Sequence, residues 1–224
     1  MIEWAVAGRP IPGEAESGDL HVVKSVPTGI LVGAVDGLGH GSEAAMVARI
    51  AVSALEIHAG ESFSIAPGSD KDQSLISLVK TCHERLRGTR GVALTLAFVS
   101  ARTPEPSILA EASPWDGTVT WLAVGNVEGV LLRGDPSASP AREYVVLRGG
   151  VVGQQLPSLR ASIVSVNRGD TLILATDGIG HGFAAGLDLG DPPQEIADRI
   201  LATHGKTTDD ALVVVVRYLG SVRQ

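Results

Sequence analysis

Hydrophobic positions in this chain gather mostly in short runs bounded by Gly, Pro, Asp and Asn, the pattern of buried or half-buried strands. Residues 2–8, 19–26, 30–36, 92–101, 118–124, 127–133, 144–147, 161–166, 171–176 and 211–219 are the predicted strands. Pro27-Thr28-Gly29 predicts a tight turn that joins the second and third of these as a hairpin. Gly125-Asn126 predicts another hairpin turn between 118–124 and 127–133. The spacing becomes helical in three places. Beyond Ser42, a good N-cap residue, Ala44, Ala45, Val47, Ala48, Ala51, Val52 and Leu55 recur on one face. Residues 71–87 place Leu75, Leu78, Val79, Cys82 and Leu86 together, and 193–204 form a short third helix. Residues 60–70, 104–115 and 134–141 read as loops. Many antiparallel strands around two consecutive central helices, with no sustained βαβ alternation, predict an α+β fold: an αββα sandwich of two antiparallel sheets flanked by helices.

Two of the strands end alike. Ile30-Leu31-Val32-Gly33-Ala34-Val35 stops at Asp36-Gly37-Leu38-Gly39-His40-Gly41. Leu172-Ile173-Leu174-Ala175-Thr176 stops at Asp177-Gly178-Ile179-Gly180-His181-Gly182. Each device holds an acidic side chain at the end of a buried strand, in a turn where backbone groups can approach a ligand closely. Further carboxylates sit at element ends: Asp19 opens a strand after Glu16-Ser17-Gly18, and Asp209 and Asp210 precede the last strand. Antiparallel pairing can bring such ends to one edge of a sandwich. Carboxylates gathered there raise one another's pKa unless a cation compensates them, and hard divalent cations with oxygen ligands do so.

Composition narrows the class. The chain has 224 residues, 44% of them hydrophobic, and no linker-like segment divides it, so one domain spanning 1–224 is expected. Aromatics are only 4%, which leaves Val, Leu, Ile and Ala to build the core. A net charge of −7 argues against non-specific binding to nucleic acid or an anionic membrane and suits a carboxylate-rich cation site. Cys82 is the single cysteine, which excludes an intrachain disulfide and fits a reducing cytoplasm. No signal peptide is legible, and no apolar run approaches the roughly 20 residues needed to cross a bilayer.

Each feature has a plainer reading. A lone Asp-Gly is usually a turn, and a lone Asp-Asp is more often a solvated loop. His40 and His181 follow glycine in turns and suit a supporting role, since a hard-cation site prefers oxygen. Cys82, on the apolar face of a helix, belongs to the core. The ordered set of strand-end acids is what favours a metal site.

That set carries a family resemblance. Glu16-Ser17-Gly18-Asp19, Val35-Asp36-Gly37-Leu38-Gly39-His40-Gly41, Ala175-Thr176-Asp177-Gly178-Ile179 and Asp209-Asp210-Ala211-Leu212-Val213 resemble, in order, the metal-dependent Ser/Thr protein phosphatases of the PPM family. They resemble most its bacterial SpoIIE/RsbU/RsbX branch, as do Gly125-Asn126 and Gly149-Gly150-Val151-Val152-Gly153. The resemblance implies an αββα sandwich and two Mn²⁺ or Mg²⁺ ions. Asp36 would bridge both ions and the Gly37 carbonyl would ligate one. Asp177 would bind the other, and the final metal ligand would come from Asp209, which matches the family position, or from its neighbour Asp210. Asp19 would contact the ions through water. The implied reaction is direct hydrolysis of phosphoserine or phosphothreonine by metal-activated water, with Asp19, Asp36, Asp177 and Asp209 as its catalytic set. Gly18 stands where many eukaryotic members carry glutamate, and Ala15 where they carry a phosphate-binding arginine. With no sensor domain legible, the chain is most similar to free-standing RsbX-type members. The implied partners are phosphorylated STAS-domain proteins of a stressosome, with no nucleic acid and no membrane, in a stress-signalling role.

Two other readings compete. A phosphatase-like module without activity would need no acids at these positions, and Asp36, Asp177 and Asp209 are all retained. The Asp-x-Gly-x-Gly character of 36–41 also resembles GHKL-type ATP-binding modules, but these need an upstream helix with a Mg²⁺-binding asparagine. Here strands precede Asp36 and no asparagine does.

Overall fold

The computed structural model describes residues 2–63, 70–101 and 115–220. The described residues form ten strands and three helices, in the order β1 (Ile2–Arg9), β2 (Asp19–Val26), β3 (Gly29–Gly37), α1 (Gly41–Ser62), α2 (Lys71–Arg85), β4 (Val92–Ala101), β5 (Gly117–Val124), β6 (Glu128–Leu132), β7 (Arg142–Tyr144), β8 (Ser162–Val166), β9 (Thr171–Ala175), α3 (Pro193–His204) and β10 (Ala211–Tyr218). One sheet has the order β1-β10-β9-β6-β7 and the other β2-β3-β4-β5-β8. All named pairings are antiparallel.

Strand parity builds the layers. In β3, Leu31 and Val35 join the cluster packed under α1 and α2, while Val32 and Ala34 face the opposite sheet. In β10, Leu212, Val214 and Val216 point between the sheets, and Ala211, Val213 and Val215 pack under α3. Both sheets are therefore buried on both faces. This is why their central strands read as continuous apolar runs rather than alternating ones, and it yields the expected αββα order.

Local readings differ from the structure in four places. The Gly125-Asn126 corner is not a hairpin turn: β5 and β6 lie in different sheets, and the corner carries the chain across the sandwich. Two apolar strands joined by a tight turn look the same from sequence whether they pair or diverge. The first helix starts at Gly41, with His40 in the N-cap position and no side-chain cap bond, so Ser42 lies inside it. It also runs on through Gly60 to Ser62. Of the loop expected at 60–70, residues 64–69 lie outside the described residues, as do 102–114 of the loop expected at 104–115. Finally, β7 is Arg142–Tyr144, and Val146 and Leu147, which were expected to be in a strand, are exposed. Asp70, by contrast, caps α2 by accepting from the Asp72 N–H.

Candidate metal centre

The inward rows of the central strands are mostly apolar, and the carboxylates gather at one end of them. Asp36 continues the inward row of Val32 and Ala34. Asp19 is its cross-strand partner and shares its face. Asp210 lies one step before the inward Leu212 of β10, and Thr176 one step beyond the inward Leu174 of β9. The Thr176 hydroxyl ties the two sheets together, donating to Asp19 Oδ2 (2.7 Å) and accepting from the Leu212 N–H (2.9 Å).

The acids are not equivalent. Asp210 is buried, and both of its oxygens accept backbone amides: Ile11 N–H at 2.7 Å and Gly18 N–H at 2.6 Å. It fastens the connection between β1 and β2 to the start of β10. Asp209 is half-buried, and one of its oxygens accepts the Asp210 N–H at 2.9 Å. Asp177 is also half-buried; its Oδ2 accepts from Asn126 Nδ2 at 2.6 Å, and its carbonyl accepts from Lys206 Nζ.

Electrostatics bind these residues into one cluster. Burial, then the charge of Asp36, pushes Asp19 up to about 8, against the opposing bond from Thr176 and with further repulsion from Asp210 and Asp177. Asp36 rises to about 7 through burial, then repulsion from Asp177, Asp209 and Asp210. Asp177 is raised by burial and by Asp209, while Lys206, Asn126 and the Gly178 N–H oppose the shift. Carboxylates that retain protons near neutrality are a site at which a divalent cation would displace those protons and supply the compensating charge.

The donor chemistry suits such a cation. It consists of oxygen alone, as Mg²⁺ and Mn²⁺ prefer. His40 Nδ1 instead meets Glu14 Oε1 at 3.0 Å and His181 Nδ1 meets Glu128 Oε1 at 2.9 Å, both at exposed positions. Among the described residues no three His, Cys, Asp or Glu side chains meet at one ligand point. The cluster is therefore open, and a cation would complete its shell with water and backbone oxygen. The Gly37 carbonyl is a suitable backbone donor: it lies against Gly18, where an added Cβ would come within 3.2 Å of it and within 2.8 Å of Ala44 Cβ. That crowding explains glycine rather than glutamate at position 18. Gly178 is more constrained still, since a Cβ there would sit 1.8 Å from the Asp210 carbonyl oxygen.

Thus the structure gathers Asp19, Asp36, Asp177, Asp209 and Asp210 at one end, with Gly37 beside them. Sequence reasoning missed Asn126 and Lys206 and gave Thr176 no role. Asn126 carried a turn signal and a part in the family resemblance but nothing that pointed to Asp177, and Lys206 is a single lysine in a polar loop.

The fold is that of the PP2C-type phosphatases. The model of the family described as Stage II sporulation protein E (SpoIIE) matches residues 27–219, and the chain belongs to that family, a branch of the metal-dependent Ser/Thr protein phosphatases. A structure from work on the bacterial stressosome, described as a modular system adapted to control secondary messenger signalling, is 26% identical with a TM-score of 0.76, covering 97% of this chain and 100% of that one. RsbX in complex with magnesium is 18% identical with a TM-score of 0.70, covering 96% of this chain and 94% of its own. The catalytic domain of the serine/threonine phosphatase PstP in complex with two manganese ions is 17% identical with a TM-score of 0.68, covering 97% and 98%. No curated protein matches the chain significantly in sequence.

Proposed function

We propose that the acidic end of the sandwich is the active site of a phosphoserine/phosphothreonine phosphatase that uses Mn²⁺ or Mg²⁺, and that its substrates are phosphorylated STAS-domain components of a stressosome. The observation that carries the catalytic part is the convergence of Asp19, Asp36, Asp177 and Asp209 at one end of the sandwich, where burial and mutual repulsion hold the carboxyl groups of Asp19, Asp36 and Asp177 above their ordinary pKa. Asp36, Asp177 and Asp209, with the Gly37 carbonyl, would hold two ions, and Asp19 would position water. Asp210 is assigned to fastening the backbone rather than to the metal, because both of its oxygens already accept amide hydrogens. Bound there, the ions would activate water and offset charge on the phosphoryl oxygens. The chain supplies the rest: Thr176 orients Asp19, and Asn126 orients Asp177.

The substrate assignment rests on family membership and on likeness to RsbX and to a stressosome-related structure. No helix among the described residues is long and apolar enough to cross a membrane. A cytoplasmic setting is part of the proposal and is supported by the one buried, unpaired cysteine. Incubation of phosphorylated STAS proteins with the chain and Mn²⁺, read by intact mass, tests the whole reading. Loss of 80 Da that stops in excess EDTA and returns with Mn²⁺ is expected, 80 Da being roughly the mass of one phosphoryl group. Full activity in EDTA would rule out the metal mechanism, and intact phosphoproteins beside active hydrolysis of p-nitrophenyl phosphate would rule out only the substrate.

A further inference from the structure

We infer that Lys206 is the cation that receives the substrate phosphate at the acidic end, standing in for the arginine that the sequence lacks ahead of Asp19. The inference rests on the phosphatase reading and adds to it the group that holds the phosphoryl oxygens. A phosphate ester entering among carboxylates meets repulsion that metal ions alone must otherwise offset, so a protein cation at the rim would stabilise its approach.

The cations around this end differ in what already engages them. Arg49 pairs with Glu16 at 3.3 Å. Arg90 pairs with Glu43 and donates to the Leu38 carbonyl. Arg9 donates to the carbonyls of Gly205 (2.8 Å) and Lys206 (3.1 Å). Lys206 is exposed, and among the described residues no carboxylate lies within ion-pair distance of it. Its ammonium donates to the Asp177 carbonyl. An ammonium has three hydrogens, so this bond leaves two for a phosphoryl group.

The backbone under Lys206 is fixed. Its N–H donates to the Gly178 carbonyl at 2.7 Å, Gly180 N–H donates to the His204 carbonyl at 2.7 Å, and Ile179 bridges Gly205. Arg9 holds the same loop from the other side. The segment that delivers Asp209 thus grips the turn that delivers Asp177 and sets an ammonium on the Asp177 carbonyl, so the positive charge is preorganised. A purely structural role, in which Lys206 merely steadies the turn through the Asp177 carbonyl, makes a different prediction.

Calorimetric titration of inorganic phosphate into the Mg²⁺-loaded full chain separates the two. Lys206→Met should weaken phosphate binding about ten- to a hundredfold, the loss expected for a hydrogen bond to a charged group. Lys206→Arg should stay within about threefold of wild type, because a point charge is what the site requires. Melting temperature should be unchanged in both variants, and Mg²⁺ affinity should not weaken in either, since losing a positive charge beside Asp177 cannot disfavour the cation. Unaltered phosphate affinity in Lys206→Met overturns the inference, as does an absence of phosphate binding in the wild type. An equal loss in both variants accompanied by a lower melting temperature also overturns it, in favour of the structural role. Hydrolysis of p-nitrophenyl phosphate by the wild type, measured in parallel, tests the phosphatase reading by itself: a wild type that binds phosphate through Lys206 without hydrolysing the ester would overturn that reading and leave the phosphate site standing.

Discussion

The two Asp-Gly turns begin with nearly the same sequence and end differently. After Asp36 the chain passes through Gly39 and Gly41, both at positive φ, and enters the 22-residue α1. Gly37 packs so closely on that helix that a Cβ would lie 2.4 Å from the Ala44 carbonyl oxygen. After Asp177 the chain forms turns instead, bound to the 204–206 loop by Gly180 N–H to His204 and Lys206 N–H to Gly178. The electrostatic setting follows the packing. Asp36 lies deeper, and no opposing group offsets the shift to about 7. Asp177 is more open and is moderated by Lys206, Asn126 and the Gly178 N–H. One strand-end device therefore yields one acid whose charge nothing in the protein offsets and one whose charge the protein supports in part.

Substitution at Asp36 should break this contrast most severely. Asp36→Asn is expected to lower Mn²⁺-dependent turnover of p-nitrophenyl phosphate by more than about a hundredfold, above the range typical of residues that only support a metal ligand. It should also blunt the metal-induced rise in melting temperature, which for wild type corresponds to about 2.7 kcal/mol at a hundredfold excess of cation over its dissociation constant. Identical thermal shifts in variant and wild type would place the cation elsewhere.

The moderated side is probed through Asn126. Removing its bond to Asp177 Oδ2 in Asn126→Ala should weaken metal binding about tenfold or somewhat more, the usual cost of losing a group that orients a ligand. Metal titration measures it, and an unchanged affinity would reduce Asn126 to a corner residue. His181→Ala, whose imidazole is exposed on Glu128, should leave the affinity as it was.

A gentler test varies pH on the metal-free chain in EDTA. Asp19 and Asp36 keep their protons to about 8 and about 7 in the folded state, against an ordinary value of 3.8. The folded state then binds more protons than the unfolded one between these limits, so its stability falls as pH rises from about 4 toward 8. Saturating Mg²⁺ should remove most of that slope. A flat metal-free profile over this window would mean that the two carboxyls are not held protonated by the fold.

The smallest effect on turnover is expected at Cys82. Its thiol is buried in the helix-side core and pushed up to about 12 by burial, so it carries no thiolate near neutral pH. Cys82→Ser should leave turnover within about twofold of wild type and cost stability of the order of 1 kcal/mol, as buried hydroxyls without good partners do. A large loss of turnover with stability intact would contradict the metal mechanism.

Periodicity decided much of this molecule. Runs such as 30–36 and 211–219 are long, apolar and bounded by turn residues, so a strand is the element that buries them, and the spacing from Ala44 to Leu55 leaves little besides a helix. The aspartates were legible because a carboxylate at the end of an apolar run stands out against it. Only the tertiary structure decided which sheet each strand joins. The Gly125-Asn126 corner has the local chemistry of a hairpin, yet β5 and β6 part there, because strand pairing depends on partners far along the chain. The same holds for Asp209 and Asp210, adjacent and chemically identical. Parity turns Asp210 inward onto the Ile11 and Gly18 amides and leaves its neighbour half-buried at the rim. Asn126 reaches Asp177 across 51 positions of sequence, and Lys206 reaches its carbonyl across 29. Sequence fixes the local conformation and burial each segment favours, whereas the company a side chain keeps is set by how distant segments pack.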